Sequence, residues 1–101
     1  MPCAVARVGD HIVAKTDSWE TVEGNIYFPV SSIQDRSILH PTNLSTFCPW
    51  KGYASYWSIV LDGRTIDNAV WYYKQPYDAA VNIKDHVAFY KNKVTVDIVD
   101  E

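Results

Sequence analysis

The stretch Tyr53-Ala54-Ser55-Tyr56-Trp57-Ser58-Ile59-Val60-Leu61-Asp62-Gly63-Arg64-Thr65-Ile66 decides the fold. Residues 53–61 are rich in aromatic and β-branched side chains, which fit a pleated, half-buried surface. Asp62-Gly63 follows, a pair suited to a type I′ turn whose twist matches that of the flanking strands. Arg64 to Ile66 should therefore pair back, with Ile59 opposite Ile66. Tyr53, Trp57, Ile59 and Leu61 share one face of the strand, and Ala54, Tyr56 and Val60 the other. Both faces are apolar or aromatic, so the strand is covered on both sides or borders a pocket.

The chain around this hairpin reads the same way. Turn signals arrive every 8 to 12 residues, the spacing of a sandwich or barrel. Ala4–Val8 and His11–Lys15 flank Gly9-Asp10, where glycine at the first central position suits a II′ turn. Trp19–Val22 and Ile26–Phe28 read as short strands, the second stopped by Pro29. Ser31 or Ser32 can cap one helical turn through Asp35. Ser37–His40 should be extended, because Pro41 disfavours the α conformation before it. Ala69–Tyr73 is another aromatic strand, and Asp78 can cap a short helix over Ala79–Lys84. His86–Tyr90 and Val94–Val99 read as a last hairpin. The expectation is one mainly β domain over residues 1–101: a small antiparallel barrel or rolled sheet with one or two short helices. A closed barrel would leave no exposed edge.

Composition narrows the function. Nine basic against twelve acidic residues give a net charge of −3. The basic residues are scattered, so the clustered cations of a nucleic-acid binder are missing. No apolar run approaches the roughly 18 residues of a membrane helix, and the N-terminus lacks the charged and apolar regions of a signal peptide. A cytoplasmic protein is expected, with no nucleic-acid or membrane partner, as a monomer or homodimer. Cys3 and Cys48 are the two cysteines; a disulfide between them is not expected in a reducing compartment. No C-x-x-C pair or His/Cys spacing supports a metal site. No phosphate-binding glycine loop, nucleophile elbow or zincin motif is present, and no cofactor is implied.

The residues that can carry chemistry lie in and around two aromatic clusters. Phe47, Trp50, Tyr53, Tyr56 and Trp57 form one; Trp71, Tyr72, Tyr73 and Tyr77 form the other. Aromatics can simply fill a small core. Tyr and Trp also carry polar tips, so they can equally line a ligand pocket. Cys48 and Lys51 stand three apart in a Pro- and Gly-bounded turn. A nearby ammonium raises the thiolate fraction of a cysteine; the alternative is a buried structural thiol beside a solvated lysine. His40 is the histidine that could approach Cys48.

Cys48-Pro49-Trp50-Lys51-Gly52-Tyr53-Ala54-Ser55-Tyr56-Trp57-Ser58 resembles the central C-P-x-K-G-x-A-S-Y-W-S motif of the DUF427 family. Tyr27-Phe28-Pro29, Ala69-Val70-Trp71-Tyr72-Tyr73 with Pro76, and Val87-Ala88-Phe89-Tyr90 resemble its other elements, so the likeness runs from about Val5 to Val99. The resemblance implies a compact, mainly β domain of unknown function. The family is sometimes tagged nucleotidyltransferase-like. This chain lacks the Gly-Ser loop and D-x-D pair that such chemistry uses to hold two metal ions. It also has Phe47 where many members place His or another polar residue before the cysteine.

The first functional expectation is a domain binding a small planar or anionic molecule, through Tyr27, Tyr56, Trp57 and Trp71 with Lys51 as charge partner and Cys48 nearby. The second is an enzyme in which Cys48 is the nucleophile and Lys51 activates it or stabilises an oxyanion. The third is a protein-interaction module using the aromatic patch.

Overall fold

The computed structural model describes residues 1–101. Nine strands make up the chain: β1 (Pro2–Val8), β2 (His11–Thr16), β3 (Glu20–Val22), β4 (Asn25–Pro29), β5 (Leu39–Cys48), β6 (Gly52–Leu61), β7 (Arg64–Tyr72), β8 (His86–Phe89) and β9 (Thr95–Asp100). They form two antiparallel sheets. The smaller has the order β2-β1-β9 and the larger β3-β4-β8-β7-β6-β5.

The decisive hairpin forms as its sequence dictates. Asp62 and Gly63 both take positive φ, 52° and 76°, as a I′ turn requires, and Ile59 pairs with Ile66. At the first hairpin Gly9 has φ +58° and Asp10 does not follow it, consistent with a II′ turn.

Strand β7 runs through a point where the sequence suggests a break. Its register against β6 shifts between Trp57 and Ile59, as Val70 pairs with Trp57 but Ile66 with Ile59. Two extra residues on β7 keep Ile66 and Val70 on the same face, because side chains alternate with period two. Asn68 absorbs the bulge at φ +49°, a conformation asparagine tolerates, and its N–H donates to Ser58 Oγ at 3.0 Å.

The larger sheet has two different faces. One packs on the smaller sheet: Phe28, Ile59, Val70, Val87 and Phe89 meet Ala4, Ala6, Val8, Val13 and Ala14 in a single core. Phe28 and Phe89 are at its centre, edge to face at 5.3 Å. The other face carries Tyr27, Ala54, Tyr56, Trp71, Tyr73 and Ala88, partly covered by Ala80 and Ile83.

Four expectations are corrected. The sheets do not close into a barrel, since β3 and β5 end the larger sheet and β2 and β9 the smaller. Edge strand β5 accepts Pro41 because a missing N–H is tolerated at an edge. The expected last hairpin does not form. Strand β8 is taken on both sides by β4 and β7, so after a turn in which Lys93 and Val94 both donate to the Tyr90 carbonyl, β9 crosses to pair with β1. The helices are short 3₁₀ turns: Val30–Ser32, Arg36–Ile38 and Asp78–Ile83. Asp35, not a serine, caps one of them by accepting from the Ser37 N–H at 3.0 Å. The last is kinked at Ala80 and begins after Tyr77 without a side-chain cap. Ser37 and Ile38 belong to a helical turn, and the extended segment starts at Leu39.

Candidate functional site

The aromatic face of the larger sheet opens into a pocket of about 330 Å³. Its wall comes from Tyr56 on β6, Trp71 near the end of β7, Tyr73 just after it, and Tyr90 just after β8. Asn25, Lys51 and Lys91 supply the polar rim. The rings sit close: Trp71 and Tyr90 at 4.6 Å, Tyr56 and Tyr90 nearly parallel at 6.3 Å.

Hydrogen bonds fix these rings. The Trp71 indole donates to the Tyr27 hydroxyl at 3.1 Å, and Tyr27 is completely buried beneath the wall. The Tyr56 hydroxyl shares hydrogen bonds with Thr46 Oγ1 at 2.8 Å and the Tyr90 hydroxyl at 3.3 Å. Burial, reinforced by the Tyr56 hydroxyl and neighbouring phenols, pushes the Tyr90 phenol up to about 12. It is a neutral donor at ordinary pH.

Lys51 is the charged centre. It ends the turn between β5 and β6 and is only 7% exposed. The turn is held from behind: Tyr77 N–H donates to the Lys51 carbonyl at 2.9 Å, and Gly52, at φ +109°, lies against Gln75 and the Tyr77 ring. The ammonium donates to the carboxylate of Glu23 and lies 5.3 Å from the Trp50 ring and 5.5 Å from Tyr73. Burial acts to lower its pKa. The Glu23 hydrogen bond and the Tyr27 and Tyr73 phenols outweigh this, so the net direction is upward. Lys51 stays charged. Glu23 is held below its ordinary range, chiefly by the same hydrogen bond.

Glu23 reaches Lys51 from the tip of the β3–β4 hairpin. Val22 pairs with Asn25 across Glu23-Gly24, and both tip residues have positive φ, 55° and 78°. That is the signature of a I′ turn, whose first central position favours Asn, Asp or Gly. Lys91 Nζ donates to the Gly24 carbonyl at 3.2 Å and ties the tip to the opposite rim.

Of the residues singled out from sequence, Lys51, Tyr56 and Trp71 line this pocket. Tyr27 stands behind it as the acceptor for Trp71. Cys48 is half-buried and packs against the same aromatic cluster without lining the pocket. Trp57 points the other way. It stacks on Tyr72 at 4.4 Å beside a separate, smaller cavity of about 240 Å³ that includes Arg36, Lys74 and His86. Tyr56 and Trp57 are neighbours in a strand, and the pleat sends them to opposite faces. His40 pairs with Ser58 and Cys48 with Gly52, at opposite ends of β5. At about 3.3 Å per residue the two are on the order of 20 Å apart, so His40 and Cys48 form no pair. Cys3 and Cys48 are free thiols. No group of three or more His, Cys, Asp or Glu residues could hold a metal ion, and no helix is long and apolar enough to cross a membrane.

Tyr73 belongs to the second aromatic cluster but not to the expected ligand-binding set, and Tyr90, Asn25 and Lys91 belong to neither. Tyr73 was within reach, two positions from Trp71 and so on its face. Tyr90 and Lys91 depend on which strands flank β8, which no local signal states. Part of the first aromatic cluster faces solvent: Phe47 and Tyr53 are 55% and 64% exposed and 4.9 Å apart.

The fold and site define a two-sheet β domain whose aromatic face holds a pocket around one buried lysine. A family model described as a domain of unknown function (DUF427) matches residues 3–100. The chain belongs to that family. No curated protein matches it in sequence.

Proposed function

We propose that this is a small-molecule binding domain and that the pocket over Lys51 takes a flat, anionic ligand. The observation that carries the reading is a charged lysine, 7% exposed, within a pocket walled by Tyr56, Trp71, Tyr73 and Tyr90. Ligand sites are typically concave and largely apolar, with a few fixed polar groups that set orientation. The aromatic rings would contact the faces of a planar molecule. Both charged residues of the lining, Lys51 and Lys91, are cationic on a chain whose net charge is −3, which favours an anion. The Tyr56 and Tyr90 hydroxyls are the remaining donors.

Nothing in the arrangement favours catalysis by Cys48, which lies at the opposite end of β5 from His40 and has no place in the pocket wall. Two free thiols agree with a reducing compartment such as the cytoplasm.

The test is calorimetric titration with benzoate and phenyl phosphate as flat anions and benzamide as the neutral control. Saturable binding of an anion but not of benzamide, lost in Lys51→Met, supports the reading. No saturable binding of either anion by the wild-type chain overturns it.

A further inference from the structure

We infer that Glu23 is a built-in occupant of a carboxylate subsite on Lys51, and that the pocket's ligand is a flat ring bearing a carboxylate that takes its place. The inference rests on reading the pocket as a ligand site and names the chemistry of what enters.

Three observations carry it. First, the chain itself seats a carboxylate on the Lys51 ammonium. That contact is the hydrogen bond a ligand carboxylate would make, at the edge of a pocket whose other walls are aromatic. A ligand carboxylate would repeat the contact Glu23 makes with Lys51, while the second ammonium of the lining, Lys91, is engaged by the Gly24 carbonyl. Second, Glu23 is poorly suited to its backbone. It occupies the first central position of a I′ turn at φ +55°, where glutamate costs more than Asn, Asp or Gly. Its side chain is the feature that sets it apart from those better turn-formers. Third, the contact can open. The Glu23 side chain is 51% exposed and no atom outside the turn approaches where a Cβ on Gly24 would stand; the exposed Lys91–Gly24 hydrogen bond must break for the tip to lift. Lifting the tip would expose the Lys51 ammonium.

A carboxylate tethered by the chain competes at an effective concentration in the millimolar range or above. A free carboxylate must outcompete it, and its apparent affinity falls by the fraction of molecules in which Lys51 is open. Removing the tethered group should tighten binding.

The test compares benzoate affinity in the wild-type chain, Glu23→Gln and Glu23→Asn. Asparagine suits the I′ position, so Glu23→Asn removes the carboxylate while keeping a residue the turn accepts. The inference predicts benzoate binding at least about tenfold tighter in both variants, phenyl phosphate weaker than benzoate in each of them, and no gain when Lys51→Met is added. In the wild-type chain, benzoate should also move the Glu23 and Gly24 amide resonances. Equal or weaker benzoate binding in both variants, with saturable wild-type binding, overturns this inference and leaves the pocket reading standing. No saturable binding of either anion by the wild-type chain overturns both.

Discussion

Lys51 and Glu23, 28 positions apart, form an ion pair in which the lysine is buried and the glutamate is half-exposed. The asymmetry matters. A buried ammonium needs a partner, whereas an exposed carboxylate can return to water at little cost. Removing the lysine should therefore be tolerated: Lys51→Met leaves a hydrated Glu23 and an apolar chain among aromatic rings. The expected outcome is a melting temperature equal to or above that of the wild type, with loss of anion binding. Differential scanning calorimetry checks the first part and titration the second.

The same pair sets an acid dependence. The carboxyl of Glu23 is lowered from an ordinary 4.5, so the folded chain binds its proton less readily than the unfolded chain. Stability from this group is present above pH 4.5 and falls as pH drops through the lower folded value. Urea midpoints measured from pH 6 down to pH 2 should fall less steeply in Glu23→Gln than in the wild type. Parallel curves would contradict the assignment.

Tyr90 contributes an alkaline dependence. Its phenol, pushed up to about 12, keeps its proton where an unfolded tyrosine near 10 has lost it. The folded state then holds more protons, so this contribution is full below pH 10 and is lost as pH rises towards 12. Absorbance at 295 nm should show one late-titrating phenol fewer in Tyr90→Phe, and the alkaline fall in stability should lessen.

The Trp71–Tyr27 hydrogen bond lies beneath the pocket wall, with Tyr27 fully buried and Trp71 8% exposed. Tyr27→Phe leaves the indole N–H buried without an acceptor, at a cost of about 1–3 kcal/mol. Urea unfolding measures this directly. A value near zero would mean that the indole finds another partner.

Gly52 holds the Lys51 turn at φ +109°, a backbone region left almost entirely to glycine. Gly52→Ala should cost about 1–3 kcal/mol, or about 4–8 °C of melting temperature per kcal/mol in a domain this size.

These residues also show what the sequence could reveal. Local rules found the hairpins at Gly9-Asp10 and Asp62-Gly63, because turn chemistry and strand pattern there agree. They failed at β8 and β9, where adjacency along the chain suggests a hairpin but the long-range partners β4, β7 and β1 prevail. The site was legible to the same extent. Lys51, Tyr56 and Trp71 stood out by type and spacing, but Glu23 comes from another hairpin and carries no motif. Trp57 was placed with Tyr56 by proximity in sequence, although strand alternation separates them.

The account stands or falls on the pocket over Lys51. The four tryptophans each give one indole N–H signal, so a nitrogen–proton correlation spectrum recorded during benzoate titration reads four positions at once. The account predicts a saturable shift of Trp71 Nε1, with Trp19 and Trp57 unmoved, and its loss in Lys51→Met. A spectrum in which Trp71 does not respond, or in which Trp57 alone moves, would contradict it.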